Sequence, residues 1–378
     1  MKAKVFFPVG YLYPSENGGP ALTLYWLAQA LVKKGIEVTF VTSSIFTNGK
    51  VPVDQWIQTD YGRVIYIKGF HSDISPKIIF ASFRQIFKHD VIVLTSFFAF
   101  HNLFYCLLAT LLGKKVVWSP RGELSEAALI FGRNRKALFI SFIRKTLARK
   151  VVFQATSAVE VEQIRAQLGQ DIKLIEIPNY IALPERQTNT RPDEVPYILY
   201  LGRFHPVKGI DRLLHAVHRS KRFKDSSFRL VLAGDDSTSY GQEMKALVKA
   251  LDLSDKVDFV GPVNGEEKQK IYARATCLCL PSFTENFGNV VVESLAQATP
   301  VIASTGTPWS ILETYQAGYW CDNTSEELAE RIDKILALSA DEYQRMRDQA
   351  YKLARDQFDI ENNVHHWIQV YEQLIKAQ

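Results

Sequence analysis

Residues 277–304 read Cys-Leu-Cys-Leu-Pro-Ser-Phe-Thr-Glu-Asn-Phe-Gly-Asn-Val-Val-Val-Glu-Ser-Leu-Ala-Gln-Ala-Thr-Pro-Val-Ile-Ala-Ser. The apolar run Cys277–Leu280 reads as a strand that stops at Pro281, since proline cannot donate to a sheet ladder. A loop then holds Glu285 to Asn289, a helix is expected from near Val290 to before Pro300, and a second strand follows over Val301–Ser304. Both strands are continuous apolar runs without alternation, the pattern of a sheet covered on both faces.

The same rhythm extends outward in both directions. Upstream, strands are expected at Lys4–Val9, Val38–Thr42, Val64–Ile67, Val91–Thr95, Lys115–Ser119, Val151–Thr156 and Lys173–Ile177. Helices are expected between them at Ala21–Lys34, Pro76–Lys88, Asn102–Leu112, Asn134–Arg149 and Ala158–Leu168. Residues 181–196 are polar, carry three prolines and show no period, so they read as a linker. Strands resume at Tyr197–Leu201, Arg229–Ala233 and Val257–Val260, and residues 325–378 are helical with breaks near 338–340 and 358–360. The fold class is α/β, with two doubly wound, Rossmann-like domains over 1–180 and 197–359. Two such domains are expected to face each other across a cleft, with ligand loops beyond the strand ends.

Composition sets the remaining bounds. At 378 residues the chain exceeds the size at which one core stops growing. With 47% hydrophobic and 22% charged residues it is globular, not disordered. Cys106, Cys277, Cys279 and Cys321 are too few for a disulfide scaffold, and the Cys277/Cys279 pair lacks the neighbours of a zinc site. The N-terminal apolar stretch is too short for a signal peptide and no run approaches a membrane span, so a cytoplasmic chain is expected. Charge is uneven: residues 1–180 hold 22 Lys and Arg against 12 Asp and Glu, the remainder 23 against 28. The excess peaks over 133–150, where Arg133, Arg135, Lys136, Arg144, Lys145, Arg149 and Lys150 interleave with Phe, Ile and Leu. Such a helix either packs on its own sheet with a solvated basic face or lies on an anionic membrane surface, and the second reading is preferred because the whole half is basic. No nucleic-acid motif accompanies the charge.

Three loops carry chemistry. In 277–304, Glu285 and Glu293 offer two carboxylates on one rim, which suits a ligand presenting diols; Gly288 and Asn289 offer backbone N–H groups at a helix start. The plainer alternative is a helix cap. In Leu201-Gly-Arg-Phe-His-Pro-Val-Lys-Gly209, Arg203 and Lys208 place two cations beside a helix start, a pattern that suits a pyrophosphate. In Tyr13-Pro-Ser-Glu-Asn-Gly-Gly-Pro20, Gly18 and Gly19 allow close backbone approach. This is neither the dinucleotide fingerprint nor a Walker A loop.

Taken in order, Gly-Gly, Gly-Arg-x4-Lys-Gly and Pro-Ser-x2-Glu-x-Phe-Gly-x4-Glu resemble family four of the retaining, nucleotide-sugar-dependent glycosyltransferases, which have the GT-B fold. The resemblance covers nearly the whole chain; in the first half it rests on Gly18-Gly19 and Ser119-Pro-Arg-Gly122. It implies that Arg203 and Lys208 hold the donor diphosphate and that Glu293 takes the ribose hydroxyls. Glu285 would bind sugar hydroxyls, with Asn286, Phe287, Gly288 and Asn289 alongside it. Gly18 and Gly19 would close over the phosphates, Val263 in the Gly261-Pro-Val263 turn would lie by the base, and a helix over about 360–378 would cross back onto the first domain. It also implies no cofactor and no metal, in keeping with the lack of any Asp-x-Asp. The donor would be a UDP-sugar or a GDP-sugar. The acceptor would be a saccharide or lipid-linked saccharide of bacterial surface polysaccharide assembly, reached by peripheral association with the inner face of the plasma membrane. Rival readings are a non-hydrolysing nucleotide-sugar epimerase and a catalytically idle nucleotide-sugar-binding protein. Two departures stand out. Arg121 occupies a position where relatives often have His; it either binds a phosphate of donor or acceptor or only ties down its loop, while His101 could supply an imidazole or be structural. Ala298 stands where Gly is common and is expected to affect packing only.

Overall fold

The computed structural model describes residues 3–15, 19–69, 75–130, 132–187 and 195–376. It forms two compact units. One takes the chain up to Ala182 and again from Ile360; the other spans Leu183–Asp359.

Among the described residues the first unit has eight strands: β1 (Lys4–Pro8), β2 (Glu37–Ser43), β3 (Trp56–Thr59), β4 (Gly62–Ile67), β5 (Val91–Thr95), β6 (Lys115–Ser119), β7 (Val152–Ala155) and β8 (Lys173–Glu176). Their order is β3-β4-β2-β1-β5-β6-β7-β8, parallel except for the antiparallel β3–β4 pair. The apolar runs explain the layering. Along β1, Val5 and Phe7 enter one core and Phe6 the other, so both faces need cover. The helices Gly19–Lys33 and Ile360–Lys376 cover the first face, where Leu24, Leu27 and Leu31 share a core with Val364, Trp367 and Tyr371. Helices Pro76–Ile86, Phe100–Leu111, Arg133–Thr146 and Ala158–Leu168 cover the second. The last helix is tied at its start, where Ile360 N–H donates to Ile181 O at 2.9 Å. Lys33 meets Glu361 at 2.6 Å.

The second unit has the strands β9 (Tyr197–Leu201), β10 (Arg229–Ala233), β11 (Val257–Gly261), β12 (Cys277–Leu280), β13 (Val301–Ser304) and β14 (Gly318–Cys321). They are all parallel, in the order β11-β10-β9-β12-β13-β14.

The structure adds two strands that periodicity does not give. β3 and β14 lie at the sheet edges and are partly exposed, so neither carries the fully buried apolar run that marks the inner strands. Gly318 opens β14 at φ +152, where a Cβ would sit 1.9 Å from Val301 O, so glycine is required there. Ala298 is corrected too: it is buried at φ +57, so the glycine preference at this position concerns the left-handed backbone and not packing alone. All four cysteines are buried and unpaired. Burial pushes the Cys277 thiol up to about 12.

Candidate active site

In the second unit the chain leaves the sheet in opposite directions from the adjacent strands β9 and β12, which makes their carboxyl ends the switch point where doubly wound sheets take ligands. The two loops beyond those ends are locked together. After β9, His205 caps a short 3₁₀ turn, Pro206–Lys208, by accepting from Val207 N–H at 3.2 Å. Gly209 then turns at φ +65 into the helix Ile210–Arg219, and a Cβ there would lie 2.3 Å from Pro281 O. Glycine is what lets the β9 loop touch the β12 loop. Phe283 N–H donates to Val207 O at 2.8 Å across the same seam.

This seam brings Lys208 onto Glu285. The ammonium donates to Glu285 Oε1, which also accepts from Ser282 Oγ at 2.9 Å, and both charged side chains are largely buried. Glu285 N–H is held by Gly306 O at 3.0 Å, so the carboxylate sits on a fixed backbone. Arg203, by contrast, is exposed, and its guanidinium has no partner among the described residues. Its carbonyl accepts from Tyr200 OH at 2.8 Å. Burial, reinforced by the Glu285 charge, holds that phenol well above its usual pKa.

Gly288, at φ +83, delivers the chain into the helix Asn289–Ala296, one residue earlier than the sequence suggests. Phe287 is buried against Trp309 and Phe358, and its carbonyl accepts from Trp309 Nε1 at 2.5 Å. Its ring is therefore core, leaving its neighbours Asn286, Gly288 and Asn289 half-buried along the loop. Glu293 is only 8% exposed; its Oε2 accepts from Tyr272 OH at 2.9 Å and pairs with Lys268 Nζ at 2.7 Å. Burial, with the Glu293 charge second, raises the Tyr272 phenol far above its ordinary value. Val263 stands half-buried after the edge strand β11. Sequence reasoning missed Ser282, Lys268 and Tyr272. Ser282 sits inside the quoted motif, whereas Lys268 and Tyr272 reach Glu293 from a separate helix, Gly265–Arg274, with no local signal.

In the first unit the switch point lies between β1 and β5. A cavity of about 380 Å³ opens there, lined among others by Gly10, Tyr11, Ser96, His101, Arg121 and Glu123. Arg121 and His101 are thus brought together. Gly19 opens the helix Gly19–Lys33, and Gly18 lies outside the described residues.

A buried ammonium–carboxylate pair, an exposed guanidinium and a glycine-led helix start, all on loops at one switch point, can hold a diphosphate beside a polyhydroxyl group. Two doubly wound units, each with ligand loops at its own switch point, are the architecture of the GT-B glycosyltransferases. The family described as "Glycosyl transferases group 1" matches residues 183–353, and the "Glycosyl transferase 4-like domain" matches residues 18–180. The chain belongs to this glycosyltransferase family.

It is 31% identical, over 150 residues, to the D-inositol 3-phosphate glycosyltransferase of Mycolicibacterium smegmatis, a match covering 36% of this chain and 33% of that protein. The chain spans about half the length, or less, of the curated relatives it matches. Among solved structures it is similar to sucrose-phosphate synthase from Thermosynechococcus elongatus, with a TM-score of 0.79 at 21% identity and full coverage of both chains. It is also similar to HepE from Anabaena in complex with UDP and glucose, with a TM-score of 0.75 at 16% identity and full coverage of both.

Proposed function

We propose that the protein transfers a sugar from a nucleoside-diphosphate donor to a hydroxyl of a saccharide or lipid-linked saccharide, with retention of anomeric configuration. The observation that carries this reading is the Lys208–Glu285 pair at the β9/β12 switch point with the unpartnered Arg203 beside it. As the glycosidic bond lengthens, negative charge develops on the departing diphosphate. Arg203 and Lys208 meet that charge as a planar fork and a point charge. Glu285 accepts from sugar hydroxyls while orienting Lys208, and Glu293, already steadied by Tyr272 and Lys268, takes the ribose diol through its remaining acceptor capacity. The acceptor hydroxyl attacks from the face the diphosphate leaves, and the departing phosphate oxygen takes its proton.

A UDP-sugar is the favoured donor, because HepE, similar in fold, has been seen with UDP and with UDP-glucose; a GDP-sugar is the second candidate. Membrane-surface work fits the basic half. On the helix Arg133–Thr146 only Ile140 and Ile143 are buried, while Leu138 and Phe142 are 74% and 44% exposed among Arg133, Arg135, Arg144 and Lys145. No helix of the described residues is long and apolar enough to cross a membrane. Surface-polysaccharide assembly on an inner leaflet is the role proposed. The test is turnover of UDP-, GDP- and ADP-sugars against saccharide acceptors, with the product anomer read by NMR. A retained anomer that requires Lys208 supports the reading; inversion, or epimerisation of donor without acceptor, sinks it.

A further inference from the structure

Arg121 is a desolvated cation whose neighbouring acids are already committed elsewhere. The loop after β6 turns sharply, with φ +54 at Arg121 and +79 at Gly122. A non-glycine residue persists there only where its surroundings over-determine it. Two carboxylates do so. Glu160 Oε1 accepts from Gly122 N–H at 2.6 Å, and its Oε2 accepts from Thr156 N–H at 2.7 Å and Thr156 Oγ1 at 2.8 Å. Glu123 accepts from Ser96 Oγ at 2.6 Å and from the N–H groups of Phe97 and Phe98 at 2.5 and 2.8 Å. Both acids fasten loops to strand ends, and neither forms an ion pair with Arg121.

Among the described residues the guanidinium makes a single hydrogen bond, Nη1 to Asn179 Oδ1 at 3.3 Å, and its Nε is sealed from water without a partner. Burial lowers its pKa, opposed by the charge of Glu160. A half-buried cation whose Nε is sealed off, with one long neutral contact among the described residues, is costly unless something else neutralises it. Here the something else has a place to sit. Arg121 lines the cavity of about 380 Å³ at the β1/β5 switch point, a volume within the range of small-ligand pockets. Tyr11, its ring 5.4 Å from Phe46, adds an aromatic wall.

We propose that this cavity binds an oxyanion, a phosphate or a carboxylate, carried by the acceptor, with Arg121 as its planar fork. The inference deepens the transferase reading and rests on it, because it takes this unit as the acceptor side. The acceptor is then an acidic sugar or a sugar phosphate, and a neutral glycan does not satisfy the site.

The test is calorimetric titration of the full chain, saturated with UDP, using inorganic phosphate, then glucose 1-phosphate and glucuronate. Saturable phosphate binding is expected, weakened about tenfold to a hundredfold in Arg121→Gln. Arg121→Gln should melt no lower than wild type without anion, since it removes an uncompensated charge. Where that variant fails to fold, Arg121→Lys keeps the charge, loses the fork and should still bind phosphate more weakly. The stronger of the two sugar probes identifies the oxyanion. Absence of phosphate binding to the UDP-saturated chain, or equal affinity in the variant, overturns the proposal. UDP binding by the wild type, read first in the same experiment, judges the transferase reading separately.

Discussion

Replacing Lys208 with Met should cost stability and turnover together, and the two losses should come apart in a double variant. Glu285 keeps only 13% side-chain exposure and Lys208 15%. With the ammonium gone, the carboxylate retains Ser282 Oγ as its side-chain donor. Exposed ion pairs are worth about 0–1 kcal/mol, whereas breaking a buried pair costs about 3–5. The residual exposure puts this pair at the lower end, about 3 kcal/mol. At about 2–4 °C per kcal/mol for a unit of this size, the melting midpoint should fall by about 6–12 °C. Turnover should fall about 10²–10³-fold, the loss typical of one charge-stabilising group. Adding Glu285→Gln removes the orphaned charge while keeping an acceptor for Ser282, so the double variant should recover most of the stability and none of the activity. Calorimetry and initial-rate assays on the four members of the cycle measure both. A single-variant loss under about 1 kcal/mol, or a double variant no more stable than Lys208→Met, would refute the argument that the pair is a buried, mutually dependent unit.

Tyr272→Phe deletes a fully buried hydroxyl donated to a carboxylate, so urea unfolding should show a loss of about 1.5–3 kcal/mol; an unchanged midpoint would mean Lys268 alone satisfies Glu293. His89 is buried, with Nδ1 on Gln85 O at 2.7 Å and Nε2 on Thr39 Oγ1 at 2.9 Å, and burial lowers its pKa below the usual 6.5. The unfolded chain therefore binds this proton first as pH falls, so stability is present above 6.5 and declines below it, and His89→Gln should flatten that limb in unfolding titrations between about pH 7.5 and 5. Leu138→Glu with Phe142→Glu should abolish co-sedimentation with anionic vesicles at low salt and leave the fold intact, because both side chains are exposed; unchanged sedimentation would remove this helix from the membrane reading.

Much of this architecture is written locally. The runs Val91–Thr95, Tyr197–Leu201 and Val301–Ser304 coincide with their strands because an apolar run between turn residues has few other uses. The loops around Gly209 and Gly288 are equally legible, since strand, glycine and helix follow within a few residues. What escapes is joined through space. Lys268 and Tyr272 come to Glu293 from a helix more than twenty residues upstream. Glu160 fixes the loop that holds Arg121 from another element altogether. The β3–β4 hairpin carries the tetrapeptide Trp56–Thr59, whose register is set by its partner. Ala298 shows the converse limit: its identity suggests packing, while its backbone angle, invisible in the sequence, supplies the reason.

The return of Ile360–Lys376 to the first unit has a consequence for synthesis. Leu24, Leu27 and Leu31 emerge from the ribosome early, yet the residues that share their core, Val364, Trp367 and Tyr371, are made after the whole second unit. The second unit is a contiguous stretch and can close as soon as it is translated, whereas the first waits with an apolar helix face uncovered through most of elongation. A stalled or shortened chain ending before Ile360 would carry that bare face permanently, which makes it a natural substrate for chaperones and proteases, and quality control of this protein is in effect a reading of whether Ile360–Lys376 has been made.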